Sequence, residues 1–361
     1  MLLKDFIDFN PKESLSKDFY KKISMDQLKP FQRYINSDNY EMFSGGSKIR
    51  NGDTIMARIT PCLENGKTAY VNCLASNEVA FGSTEFIVAR AKKGISLPLF
   101  IYYLLCSTPI RKTAILSMTG SSGRERVQQF MLDNYEIPDY SLEFQQHIVD
   151  TIGSVDNLIE KYEDLYLKIQ EFLILKYTQL QSQEGLKVVD IFKCFNGGTF
   201  KSADYVEISN KKLVTIKNID ATGFNLQDIT YLKDNLDCEK YALKYGDILL
   251  TMTGAYLGRC GIVSEKKCYQ NQRILKVVGE SKAFTYVFLK VNEKAIFSLG
   301  KGSAQPNLSL QDFYQMKVPY SALDIKQFKQ YDNLFDMMLN IKLKQQKAKH
   351  QKQKLLQKYF G

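Results

Sequence analysis

The sequence predicts an α+β chain: two tandem globular halves, each centred on a twisted β-sheet, separated by two long helices forming an antiparallel coiled coil. Three observations carry this expectation. A series of short motifs occurs twice in the same order, strand-type runs follow a Gly-Asp turn in both copies, and each copy leads into a long helical segment. The 361 residues are 44% hydrophobic and 24% charged. At about 100–200 residues per domain, that is material for two domains with apolar cores.

The first copy opens with Ile49-Arg-Asn-Gly-Asp-Thr-Ile-Met-Ala-Arg58 and the second with Leu243-Lys-Tyr-Gly-Asp-Ile-Leu-Leu-Thr-Met252, each a turn followed by an apolar strand run. Further strand-type runs follow at Thr68–Val71 and Glu85–Ala89, and at Arg259–Val263 and Arg273–Val278. Helix-like apolar segments come next, Leu97–Cys106 and Phe284–Val291. Two loops then match, Gly120-Ser-Ser-Gly-Arg-Glu-Arg126 and Gly302-Ser-Ala-Gln-Pro-Asn307, with apolar-Pro exits at Ile137-Pro138 and Val318-Pro319. Leu173–Tyr177 is echoed by Leu355–Tyr359. Asp53 and Asp247 are 194 apart, Pro138 and Pro319 181, and Tyr177 and Tyr359 182. An ordered series of this kind marks a duplication.

Between the copies, apolar residues fall at 148, 152, 155, 159, 162, 166, 169, 173 and 180, a heptad seam of alternating four- and three-residue steps. No proline interrupts Ser141–Gln183, and Glu184-Gly185 supplies a stop signal. The second helix is expected over about Leu323–Phe360, with Leu334, Met338, Ile341, Ala348, Leu355 and Tyr359 on its seam. Gln345 and Lys352 also fall there, so this helix is the weaker of the two on its own. Its last stretch, Ile341–Gly361, carries seven lysines and no acid, a pattern that suits a solvated face, phosphate or an acidic partner.

A net charge of +10 attracts polyanions without separating nucleic acid from acidic lipid or an acidic protein. Seven cysteines stand singly, with no C-x-x-C pair, which fits reduced thiols better than a disulfide framework or zinc ribbon. The first residues make a poor signal peptide and no run approaches the 18 or so apolar residues of a membrane span. The expectation is a soluble, cytoplasmic protein without a membrane partner.

Chemistry of its own is hard to find. There is no Pro-Pro pair for a base-gripping methyltransferase tetrad and no G-x-x-x-x-G-K-[ST] loop. Gly197-Gly198 is a turn signal only. His147 and His350 are the only histidines and both fall in the helices, so no multi-histidine metal site is available. Asp247 with Glu265-Lys266-Lys267 has the acid…acid-x-Lys order of a metal-dependent nuclease. In the first copy Asp53 and Glu64 lead to Lys67, one residue too far. The expectation is no catalytic residue, no metal and no cofactor.

Several motifs together resemble a known family. They are Thr60-Pro-Cys-Leu-Glu-Asn-Gly-Lys67, Phe81-Gly-Ser-Thr-Glu-Phe-Ile-Val88, the Gly-Ser loop, the Ile-Pro exit and the helix start Glu143-Phe-Gln-Gln146. The second half carries weaker counterparts in Gly254-Ala-Tyr-Leu-Gly-Arg259, Gln270-Asn-Gln272, Val318-Pro319 and Lys326-Gln327. This pattern is similar to the specificity subunit of type I restriction-modification enzymes. The resemblance implies target-recognition domains at 1–140 and 184–320, a central spacer helix at 141–183 and a C-terminal one at 321–361. It also implies a non-catalytic subunit that reads a bipartite, asymmetric double-stranded DNA site. Its expected partners are two methyltransferase subunits, with a restriction subunit as a further candidate. The second half departs from the first where Pro306-Asn307 stands opposite Arg124–Arg126.

Base edges are read by polar and basic side chains on loops, while phosphate contacts set register. On that ground the first half offers Arg58, Glu64, Asn65, Lys67, Ser83, Thr84, Arg124 and Arg126. The second offers Thr253, Tyr256, Arg259, Gln270, Asn271, Gln272, Lys301, Gln305 and Asn307. The Gly-Asp pairs are expected to be structural turns. Other classes that fit part of the chain are a metal-dependent nuclease and a coiled-coil scaffold.

Overall fold

The computed structural model describes residues 1–180, 185–221, 223–226, 228–302 and 305–361. The first half holds α1 (Leu3–Phe6), β1 (Ile7–Phe9), β2 (Phe19–Ile23), β3 (Tyr40–Met42), β4 (Ser47–Ile49), β5 (Thr54–Ala57), β6 (Thr68–Tyr70), β7 (Ala80–Gly82) and β8 (Phe86–Ala91). Helices α2 (Pro98–Leu105), α3 (Thr108–Leu116), α4 (Gln129–Asp133) and the long α5 (Leu142–Thr178) follow. Next come β9 (Leu186–Lys187), α6 (Val188–Ile191), β10 (Phe192–Asn196), β11 (Tyr205–Val206), β12 (Lys211–Val214), β13 (Ile219–Asp220), β14 (Gly223–Phe224) and β15 (Thr230–Leu232). The chain continues with β16 (Ala242–Lys244), β17 (Ile248–Thr251), β18 (Cys260–Ile262), β19 (Lys267–Gln270) and β20 (Ile274–Gly279). It ends in α7 (Lys282–Val291), α8 (Glu293–Ser298), α9 (Leu310–Gln315), β21 (Lys317–Val318), α10 (Ala322–Phe328) and α11 (Asp332–Phe360). Two compact units result: Met1–Ile159 with Lys347–Gly361, and Glu160–Gln346.

In the first unit one sheet has the order β1-β8-β5-β6 and a second β3-β2-β7-β4. Every residue of β5 is buried, which accounts for its unbroken apolar run. The turn before it needs Gly52 at φ +91°, a conformation open to glycine at no steric cost. Asp53, fully buried, accepts the Arg50 N–H at 2.7 Å and the Arg90 fork at 2.7 and 2.8 Å. The pair is a structural turn, as its composition suggested. Helix α2 is apolar all round because Phe100 to Leu105 are all buried, among Leu3, Phe6, Ile148 and Ile152. Gln145, from the glutamine-bearing helix start, is fully buried. It accepts the Leu97 N–H at 2.8 Å and donates to the carbonyls of Ile95 and Tyr140 at 2.8 Å each.

The second unit repeats this topology. Its sheets run β10-β20-β17-β18 and β11-β15-β12-β19-β16, so β11 is an added edge strand. The parallel pairing within each mixed sheet recurs as well, β2 with β7 and β12 with β19. Two short ladders, β13-β14 and β21-β9, complete the unit.

Each unit contains a stretch of both long helices, packed antiparallel. In the first, Tyr359 meets His147 at 3.0 Å and Lys352 meets Asp156 at 2.8 Å. In the second, Gln345 donates to Glu163 and the Lys342 ammonium lies 5.4 Å from the Tyr166 ring centre. Ile148, Ile152, Val155, Ile169 and Leu173 of the expected seam are buried on α5, and Met338, Ile341 and Ala348 on α11. Gln345 and Lys352 are buried too. Each faces an acid on the opposite helix, so the polar seam positions are matched in pairs.

Two helix boundaries differ from expectation. Helix α5 ends at Thr178, ahead of the expected end at Gln183; Gln183 and Glu184 lie outside the described residues, and Gly185 of the expected stop signal is non-helical. The second helix is not continuous from Leu323: a 3-10 turn at Lys329–Tyr331 separates α10 from α11. That tighter turn sets Asp332 against the start of α7, where it accepts from Ser281 Oγ at 2.7 Å and the Ala283 N–H at 2.9 Å. Among the described residues no helix is long and apolar enough to cross a membrane.

Candidate nucleic-acid interface

The sequence-selected residues of the first unit gather at one end of the sheet β1-β8-β5-β6. Antiparallel pairing places the end of β5 beside the starts of β6 and β8. The Thr60–Lys67 turn leaves from that end, and the Thr60 N–H donates to the Glu125 carbonyl at 3.0 Å, which brings the Gly120–Arg126 loop alongside. Val127 N–H donates to the Arg58 carbonyl at 2.9 Å, and Arg126 exchanges both backbone bonds with Thr119 at 2.9 and 3.1 Å.

Glu85, which sequence reasoning passed over, organises this end. Its carboxylate accepts Arg126 Nε at 3.0 Å and Nη2 at 2.7 Å, and Arg58 Nε stands 4.0 Å away. The Arg126 hydrogen bonds are the main cause holding Glu85 below the usual glutamate range; burial opposes them, and the Arg126 and Arg58 charges assist. Both arginines remain about two-fifths exposed. A hint lay in the Phe81–Val88 motif that contains Glu85, but its arginine partners come from distant segments.

The other candidates of this unit divide by what their side chains do. Glu64, Asn65, Thr84 and Arg124 are exposed. Ser83 Oγ accepts the Glu85 N–H at 3.1 Å. The Lys67 ammonium is tied to the Met25 carbonyl at 2.9 Å.

The second unit builds the same end with different residues. Leu308 N–H donates to the Met252 carbonyl at 2.9 Å, and Lys301 and Asn307 exchange backbone bonds at 3.0 and 2.9 Å. Asn307 thus stands where the first unit has Arg126, as the motif order suggested for Pro306-Asn307. Tyr256 carries the Arg259 guanidinium 4.7 Å over its ring, a cation–π contact. Asn271 Oδ1 accepts the Arg273 N–H at 3.1 Å, and Gln272 Oε1 accepts Thr199 Oγ at 2.7 Å. Lys301 is exposed but pairs with Asp312 at 2.9 Å; Gln305 is exposed.

Two candidates do not face outward. Gln270 is 2% exposed, and its amide donates to the Phe195 and Ile274 carbonyls at 2.7 and 2.8 Å. It is a structural clamp, because reading a base would leave those carbonyls unpaired. Thr253 is also buried, and it meets Asn307 through a β-bridge.

The acids considered for a metal are separately engaged. Asp247 accepts the Lys244 N–H at 2.9 Å and lies 3.6 Å from Lys276, while Glu265 pairs with Lys212 at 2.7 Å. Among the described residues no cluster of three or more His, Cys, Asp or Glu is placed to hold a metal ion.

Both units are thus sheet-and-helix modules whose polar loops meet at one sheet end. The family model for the type I restriction modification DNA specificity domain matches this chain twice, over residues 2–171 and 184–351. The chain belongs to that family. It is 32% identical over 149 residues to the type I restriction enzyme EcoAI specificity subunit of Escherichia coli, covering 39% of this chain and 25% of that protein. To the EcoEI specificity subunit of the same organism it is 33% identical over 158 residues, covering 40% and 26%. These matches span about a quarter of each relative. A crystal structure of the type I restriction-modification S subunit from M. genitalium shares the fold, with a TM-score of 0.56, 17% identity, and coverage of 100% of this chain and 95% of that one.

Proposed function

We propose that this chain is the DNA-specificity subunit of a type I restriction-modification system. Each unit reads one part of a bipartite, asymmetric double-stranded DNA site, with 1–140 and 184–320 as recognition domains and the long helices as spacers. The subunit is non-catalytic and cytoplasmic, and it directs two methyltransferase subunits, and a restriction subunit where one is present, to the DNA. What carries this reading is the family match in two copies, each over a unit with the same polar loop end. Arg58, Arg126, Arg259, Asn271, Gln272 and Asn307 are the foremost base readers, since Arg pairs with guanine and Asn or Gln with adenine in the major groove. Lys67 and Lys301 suit phosphate.

The test is the methylome of a host expressing this chain with a type I methyltransferase subunit. The expected result is a split methylated motif, one half of which changes when residues 1–140 are exchanged for those of another specificity subunit. No sequence-restricted methylation, or cutting of DNA by the purified chain with Mg²⁺, would overturn the proposal.

A further inference from the structure

Matching backbone hydrogen bonds and bridges give three residues of one unit counterparts in the other. Arg58 N–H donates to the Glu85 carbonyl at 2.9 Å, and Met252 N–H donates to the Arg273 carbonyl at 3.0 Å. The next loop closes on Arg58 through Val127 and on Met252 through Leu308, both at 2.9 Å. The bridges of Arg126 with Ile59 and Thr119 recur as those of Asn307 with Thr253 and Lys301. Hence Arg58, Glu85 and Arg126 occupy the same stations as Met252, Arg273 and Asn307. The scaffold is constant while the chemistry changes at all three.

We infer that these three positions form a base-reading station that gives each unit its own half of the DNA sequence, with Glu85 positioning Arg126 in the first unit and Arg273 reading directly in the second. The inference rests on the DNA-specificity function proposed above. Glu85 holds the Nε and Nη2 donors of Arg126. The remaining hydrogens on Nη1 and Nη2 point away from the carboxylate, and among the described residues they make only a long 3.4 Å bond from Nη1 to the Arg124 carbonyl. A guanidinium fixed along one edge presents the other to the O6 and N7 acceptors of guanine.

In the second unit the acid is replaced by Arg273, which is exposed and has no ion pair among the described residues. Met252 is buried, and among the described residues the Asn307 amide donates to the nearby Gln305 carbonyl, at 3.2 Å. This set offers an exposed cation and an amide, the latter matched to adenine. Both sets carry the same net charge, because the two arginines and one glutamate of the first balance to the single arginine of the second. Exchanging them therefore alters local readout with little change in the attraction to phosphate.

The experiment selects bound duplexes from a randomised DNA library, using the full chain purified with a type I methyltransferase subunit. Glu85→Gln is expected to lower the preference for guanine at one position of one half-site about tenfold. Binding to random duplex stays within about twofold and its salt dependence is no weaker; Glu85→Asp recovers part of the preference. The triple exchange R58M/E85R/R126N changes bases in that same half-site only, and Arg273→Gln changes bases in the other only. Selected motifs unaltered by Glu85→Gln and Arg273→Gln would overturn the inference, as would a Glu85→Gln chain weakened equally on every duplex. Should the triple variant fail to fold, the two single variants decide. An unaltered chain that selects no sequence would refute the DNA-specificity proposal itself.

Discussion

Lys352 offers a sharp test of how the helix pair of the first unit is held. Its side chain is 10% exposed and that of Asp156 4%, with the charged atoms 2.8 Å apart. The Lys352 ammonium also lies 5.3 and 5.8 Å from the ring centres of Tyr102 and Tyr103. At an effective dielectric of about 20, charges this close attract by ~6 kcal/mol, most of which offsets desolvation. Lys352→Met removes the cation, keeps the volume and strands a buried carboxylate. Breaking a buried pair this way costs about 3–5 kcal/mol. For a unit of this size, ~2–4 °C of Tm per kcal/mol makes the expected fall at least ~6 °C. Calorimetry would measure it, with hydrogen exchange of peptides around 147–159 and 347–361 assigning the transition. The double variant Lys352→Met with Asp156→Leu should return to within about 2 kcal/mol of the parent, since an apolar pair needs no counter-charge. A single variant within ~1 kcal/mol of the parent would refute the reasoning.

Three further outcomes are expected. Burial pushes Glu13 up, but the hydrogen bonds and charges of Arg50 and Arg90 bring it below the ordinary glutamate value of 4.5. Its contribution is therefore fully present above pH 4.5 and lost as pH falls through the lower folded value; acid titration followed by circular dichroism should show this, and Glu13→Gln should flatten it. Gly197→Ala would place a methyl 2.2 Å from the Asn271 carbonyl oxygen, so urea unfolding should show a loss of about 1–3 kcal/mol; unchanged stability would mean the two segments separate freely. Cys260 and Cys268 are buried, with thiols pushed up to about 12 by desolvation first of all. They should resist thiol reagents at pH 8 until the chain unfolds, which mass spectrometry of labelled peptides reads directly.

The sequence by itself determined the duplication, the α+β class and the heptad seam. These depend on periodicity and motif order, which are local properties of a chain. It also marked the Gly-Asp turns, because a positive φ before a buried strand demands glycine and a carboxylate that can accept nearby N–H groups. Only tertiary structure decided what the polar seam residues do: Gln345 and Lys352 looked like weaknesses until Glu163 and Asp156 were found opposite them. Likewise Gln270 looked like a reader, yet the carbonyls of Phe195, from a distant strand, and of nearby Ile274 enclose its amide. Glu85 could not be chosen from its own neighbourhood, since the arginines it orders are brought to it by β-pairing and loop closure. Charge partners that meet across the fold leave no spacing in the sequence, whereas strands and helices do.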